Sequence, residues 1–116
     1  MGFTLESYSV EHDSAHLDNR KGEARDKLLE AIKEVLSFSD VVLNFLEINS
    51  SFRKKDIIED PGVFSRKLEE LFGAGAHGIE RLIIERFYNK MTLRYIRDRE
   101  KTFADYIDEA VKMYID

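Results

Sequence analysis

The amino-acid sequence predicts an all-α protein, a compact bundle of about five helices with a glycine-rich helix–turn–helix in its middle. Three observations support this fold class. Apolar residues recur at intervals of three and four along most of the chain, the spacing that gives a helix one apolar face. The 116 residues include a single proline, so long helices are not interrupted. Residues that commonly begin and end helices stand at the ends of the periodic segments.

The first periodic segment begins at Glu23, and residues 1–22 before it are polar and lack clear periodicity. We therefore expect a partly ordered N-terminal arm, 1–22, followed by a single helical domain, 23–116. The first two helices are expected over residues 23–36 and 39–49. Serine and aspartate interrupt the apolar stripe between them, because these side chains compete for backbone hydrogen bonds and favour helix N-caps.

The third helix has a predicted start and end. Asp60 suits the N-cap, and Pro61 suits the first helical position, where a missing N–H is tolerated. Its apolar stripe comprises Phe64, Leu68, Leu71 and Phe72. Gly73 follows where a helix C-terminus needs a left-handed residue. We expect a structural turn formed by Gly73, Gly75 and Gly78, and we expect the small residues Gly75, Ala76 and Gly78 to let two helix backbones approach closely.

The fourth and fifth helices follow this turn. The fourth has an expected stripe of Ile79, Leu82, Ile83, Phe87 and Met91. The next segment, 92–97, alternates like a strand but is also consistent with frayed helix. Thr102 and Asp105 have the spacing of a capping box, which predicts the start of the last helix. Apolar faces this wide on a short chain also predict a homodimer.

The glycines also form the string G-x-G-x-x-G over residues 73–78, which occurs in dinucleotide-binding loops. Such a loop needs a buried strand before its first glycine. Here the preceding segment has helical periodicity, so we predict no nucleotide site and no cofactor.

Composition narrows the possible functions. The chain contains no cysteine, which excludes disulfides and thiolate chemistry and favours a cytoplasmic location. No apolar run has the length of a membrane span, and no signal peptide is expected. His12 and His16 have the spacing H-D-x-x-H of zinc-binding helices, but a third ligand is not apparent, so we predict no metal site. With only three histidines, none in a triad-like setting, an enzyme is not expected.

The net charge of −5 opposes general attraction to nucleic acid, yet residues 81–101 are rich in cations. A helix–turn–helix over residues 61–91 gives the possible nucleic-acid contacts Arg81, Arg86 and Lys90. The run that follows interleaves cations with an aromatic residue, a weaker route to nucleic acid, and adds Arg94, Arg97 and Arg99. The alternative is that acidic segments neutralise these cations within one fold or across a dimer. Glu80 and Glu85 are expected on a solvated helix face with local ion pairs.

The second half resembles a small archaeal family, the Nitrosopumilus output domain, over roughly residues 57–114. The residues that carry the resemblance are Asp60, Pro61, Phe64, Leu68, 71–76, Ile79, Glu80, Ile83, Tyr88, 103–107 and Ala110. Where the family has a glycine before the leucine after Tyr88, this chain has Met91-Thr92. The resemblance implies a non-enzymatic protein-interaction domain, a signalling output or adaptor, with no catalytic residue to carry over. The alternative is a nucleic-acid-binding transcriptional regulator that uses the basic segment 81–101.

Overall fold

The computed structural model describes the backbone of residues 2–49 and 53–115 and the side chains of residues 19–38, 40–48 and 53–115. Within these residues the chain forms five α-helices, two short 3-10 turns and no strand, which confirms the all-α prediction. The helices are α1 (Gly2–Val35), α2 (Ser39–Asn49), α3 (Pro61–Phe72), α4 (Ala76–Lys90) and α5 (Phe103–Ile115). The 3-10 turns are Lys54–Asp56 and Gly73–Gly75. No helix in this part of the chain has the length and apolar character that crossing a membrane requires.

The first helix differs from the prediction at its start. The apolar periodicity predicts a helix from Glu23, whereas α1 begins at Gly2. Once packing has fixed a helical segment, polar residues can extend it, because each added residue gains a hydrogen bond without a new nucleus. The side chains of residues 1–18 lie outside the described part of the chain. The division into an arm, 1–22, and a domain, 23–116, therefore stays a prediction.

The turn between α3 and α4 confirms one role of its glycines and corrects another. Gly73 has φ 57° and ψ −133°, a conformation that side chains disfavour, and its amide donates to the carbonyl of Glu69. The expected close approach of helices at Gly75 and Gly78 is wrong. A Cβ built on either residue would meet no heavy atom within 4 Å. These two glycines face open space because the two helices contact each other through longer side chains on other faces.

Helices α1, α3, α4 and α5 pack around one core, and α2 packs against α1. The largest fully buried side chains come from every helix and from Ile57 in the connection before α3. They are Leu28, Ile32, Leu43, Leu46, Ile57, Phe64, Leu68, Ile83, Phe87 and Ile107. The rings of Phe64 and Phe103 lie 5.8 Å apart between centroids and join α3 to the start of α5.

The segment between α4 and α5 is neither a strand nor a frayed helix. Residues 93–98 have no regular secondary structure and continue from a turn at the end of α4. The predicted capping box then begins α5. The Thr102 amide donates to Asp105 Oδ2 at 2.9 Å, and the Asp105 amide donates to Thr102 Oγ1 at 3.1 Å.

Candidate functional site

The predicted nucleic-acid contacts separate into two groups in the structure, and the first group faces α1. Arg86 Nη1 lies 3.2 Å from Glu34 Oε1. Lys90 pairs with the same Glu34 carboxylate and lies 3.7 Å from Glu30 Oε2. The hydrogen bond from Lys90 holds the pKa of Glu34 below its ordinary value, and the bond to Glu34 raises the pKa of Lys90. These two cations are thus neutralised within the chain.

The second group consists of Arg81, Arg94, Arg97 and Arg99. All four are exposed, and none forms an ion pair with another of the described residues. Arg97 and Arg99 lie on the loop between α4 and α5, which Tyr106 holds by hydrogen bonds to the backbone of Asp98. Arg81, Arg97 and Arg99 line one cleft of about 250 Å³.

A second cleft, of about 470 Å³, lies between α3, α4 and the start of α5. Glu80 lines both clefts. The prediction that Glu80 lies on a solvated face is wrong, because its side chain is buried. Only 7% of this residue is exposed, and it is the one buried charged residue among those described. It is buried because residues 76, 80, 83, 84, 87 and 88 form the inner face of α4.

The carboxylate of Glu80 is held asymmetrically. Ser65 Oγ, on α3, donates a 2.7 Å hydrogen bond to Oε1 of Glu80. The other oxygen, Oε2, lies 3.9 Å from Nδ1 of His77. Burial raises the pKa of Glu80, and the hydrogen bond from Ser65 partly offsets this effect.

This carboxylate and two neighbouring side chains could together hold a metal ion. One ligand atom each from Glu69, His77 and Glu80 lies within 4.8 Å of the others. His77 and Glu80 are one helical turn apart on α4, and Glu69 reaches the cluster from α3. This set was not predicted from the sequence, although His77 and Glu80 have the spacing H-x-x-E. The third ligand, Glu69, could not be predicted because its position depends on how α3 packs against α4. The alternative histidines, His12 and His16, have side chains outside the described residues.

A separate surface lies on α2 and just before it. Eight large apolar side chains are exposed among the described residues, and four of them are Phe38, Val41, Phe45 and Ile48. Val41 and Ile48 are 70% and 81% exposed. We call these four residues the α2 apolar face. The opposite side of α2, with Val42, Leu43 and Leu46, is buried against the core.

Comparisons with models of protein families, with curated proteins and with solved structures give no match to this chain. The resemblance to the Nitrosopumilus output domain, and the archaeal signalling role that it implies, therefore stay predictions.

Proposed function

We propose that this chain is a non-enzymatic protein-interaction domain that pairs with a second copy of itself through the α2 apolar face. The observation that carries the proposal is the concentration of exposed apolar side chains at this one place. Soluble proteins expose single apolar residues routinely, but contiguous apolar patches commonly mark contact surfaces.

The spacing of the face favours another helix as its occupant. Residues 38, 41, 45 and 48 are separated by three, four and three positions, which is the seam spacing of helices that pack side by side. A two-fold axis beside α2 would bring the same seam from a second copy against it, as in most homodimers. Phe45 and Val41 would then leave water at the centre of the interface.

The physiological role that best fits such a domain is that of an adaptor or signalling output module. The resemblance of residues 57–114 to the archaeal output family supports this role. An output domain that dimerises through α2 would keep the clefts around Glu80 and the four exposed arginines available to other ligands, since none of them lies on α2.

Sedimentation equilibrium tests the pairing. The parent chain is expected to be a dimer at micromolar concentration, and Val41→Glu combined with Ile48→Glu is expected to give a monomer with unchanged helicity. Ile96→Glu is the matched control, because Ile96 is 65% exposed but lies outside the face. A monomeric parent, or a double variant that still dimerises, would contradict the proposal.

A second candidate, nucleic-acid binding, is favoured by the four arginines that have no ion-pair partner in the described residues. Under this hypothesis Arg94→Glu, Arg97→Glu and Arg99→Glu together abolish DNA retardation at low salt and preserve helicity. A matched control changes Lys21, Lys33 and Lys55 to glutamate, because these three exposed cations lie outside the loop between α4 and α5. Affinity for DNA should also fall steeply as salt rises. Retained binding by the triple variant would reject this surface.

A further inference from the structure

We propose that Glu69, His77 and Glu80 form a binding site for a divalent transition-metal ion such as zinc, at the junction of α3 and α4. This function is independent of the pairing through α2. Two observations carry it: a mixed set of oxygen and nitrogen ligand atoms, and a carboxylate that is only 7% exposed and pairs with no lysine or arginine of the described residues.

The first observation is chemical. One imidazole nitrogen and two carboxylate oxygens are ligands that zinc and similar ions take in proteins. In a tetrahedral zinc site with bonds of about 2.1 Å, ligand atoms lie roughly 3.4 Å apart. The three ligand atoms here lie within 4.8 Å of one another, so the set is close to this spacing before any ion binds. Glu69 and His77 are exposed and can rotate to close the remaining distance.

The second observation is electrostatic. An ionised carboxylate that is removed from water needs a partner of opposite charge or several hydrogen bonds. Glu80 receives a hydrogen bond on Oε1 from Ser65, but Oε2 has no hydrogen-bond donor among the described residues. The nearby carboxylate of Glu69 adds repulsion. A bound divalent cation would satisfy Oε2 and neutralise both carboxylates.

The cations around the cluster do not perform this role. Arg66, Arg99 and Lys101 line the same cleft, yet none forms an ion pair with Glu69 or Glu80. Lys101 instead pairs with Glu109 on α5, at 2.9 Å. These side chains lie where they could contact an anion or water that completes the coordination of the metal.

Ser65 is a positioning residue in this arrangement. Its hydroxyl donates a hydrogen bond to Oε1 of Glu80, and the other oxygen, Oε2, lies on the side of His77. Hydrogen bonds from outer-shell residues commonly orient metal ligands in this way. Ser65→Ala should lower zinc affinity while leaving one ion per chain, and Ser65→Thr should restore affinity because it keeps the hydroxyl. A purely structural role would not give this rescue.

Equilibrium dialysis with zinc alone, followed by elemental analysis of the protein, tests the site. The parent is expected to bind one zinc ion per chain and to melt at a higher temperature with zinc present. His77→Gln and Glu80→Gln should each weaken binding by at least about tenfold. Glu70→Gln is the matched control, because Glu70 is exposed on α3 and pairs with Lys67 instead.

Two further results separate this site from alternatives. A variant with His12→Gln and His16→Gln should bind zinc like the parent, and binding lost in that variant would place the ion elsewhere and overturn the proposal. Absence of zinc binding by the parent, or unchanged affinity in both His77→Gln and Glu80→Gln, would overturn it as well. His77 is exposed, so its substitution tests the site even if Glu80→Gln fails to fold.

Discussion

The hydroxyl group of Tyr106 is bonded to both backbone groups of Asp98: it donates to the carbonyl oxygen at 2.8 Å and accepts from the amide at 2.6 Å. Tyr106 lies on α5, so this pair of hydrogen bonds joins α5 to the loop that follows α4. The loop carries Arg97 and Arg99. This phenol group therefore helps to fix the positions of these two cations, which form no ion pair with the described residues.

We expect Tyr106→Phe to lower the free energy of unfolding by about 1–2 kcal/mol, because it removes both hydrogen bonds. Amide hydrogen exchange over residues 94–100 should accelerate while α4 stays protected, which mass spectrometry can measure. Tyr114→Phe is the control: its hydroxyl bonds to Glu23 on the exposed surface, far from the loop. Unchanged exchange in Tyr106→Phe would show that other contacts fix the loop.

Because of Tyr88, we expect the stability of the fold to depend on pH in the alkaline range. Its buried hydroxyl donates to the carbonyl of Tyr106 at 2.7 Å, and burial, followed by the charge of Glu109, raises its pKa from 10.0 to about 12. The folded chain therefore holds this proton more tightly than the unfolded chain, and the stabilisation is complete below pH 10 and is lost as the pH rises through about 12.

The variant Tyr88→Phe should accordingly be less stable than the parent at pH 9, by about 1 kcal/mol for the lost hydrogen bond. The difference should narrow between pH 10 and 12, since only the parent loses the Tyr88 contribution there. Urea unfolding at several pH values measures the gap. A gap that stays constant or widens would contradict the assigned direction of the pKa shift.

Gly73, in the α3–α4 turn, and Gly78, in the first turn of α4, should respond oppositely to alanine. Gly73→Ala should destabilise the fold by about 1–3 kcal/mol, because φ 57° with ψ −133° is strained for any residue that has a Cβ. Gly78→Ala should stabilise it by about 0.5–1 kcal/mol, because Gly78 lies within α4 and faces open space. Thermal unfolding of both variants measures the contrast. Equal effects would mean that the turn tolerates a side chain at residue 73.

Thr92 is the one non-glycine residue with positive φ in the described part of the chain, at 59°. It follows α4, where the amide of Leu93 donates back to the carbonyl of Tyr88 at 2.9 Å. A β-branched residue is strained in this conformation. Thr92→Gly should therefore raise the free energy of unfolding by about 1 kcal/mol.

The control for this prediction is Thr102→Gly, which removes the side-chain oxygen of the capping box and should destabilise α5 by roughly a few tenths of a kcal/mol. Chemical denaturation of both variants compares the two threonines. A loss of stability in Thr92→Gly would show that the Thr92 side chain makes a contact that outweighs the strain.

Local signals were sufficient to predict most of the fold. Pro61 and Gly73 bound α3 as expected, and the capping box of Thr102 and Asp105 begins α5. Each of these signals involves residues that are close together in the chain, so it can be recognised without knowing how the helices pack. The start of α1 was not predictable in this way, because polar residues neither require nor prevent an extension of a helix.

The site depends on contacts between helices, which the sequence does not state. The predicted α4 stripe includes Leu82, which is 47% exposed, and omits Glu80, which is buried. A stripe chosen by hydrophobicity alone favours the leucine, whereas the inner face is set by the helices that α4 meets. Glu69 joins His77 and Glu80 only because α3 packs against α4.

Helix α1 contributes to the core, and its carboxylates Glu30 and Glu34 also determine which cations of α4 are paired. These carboxylates pair with Arg86 and Lys90, so Arg81 is the one basic residue of α4 that has no ion pair among the described residues. A ligand or modification that displaced α1 from α4 would leave Arg86 and Lys90 without these ion-pair partners and would extend the unpaired positive charge along α4. The ionic contact between these helices thus sets how many cations of α4 remain unpaired.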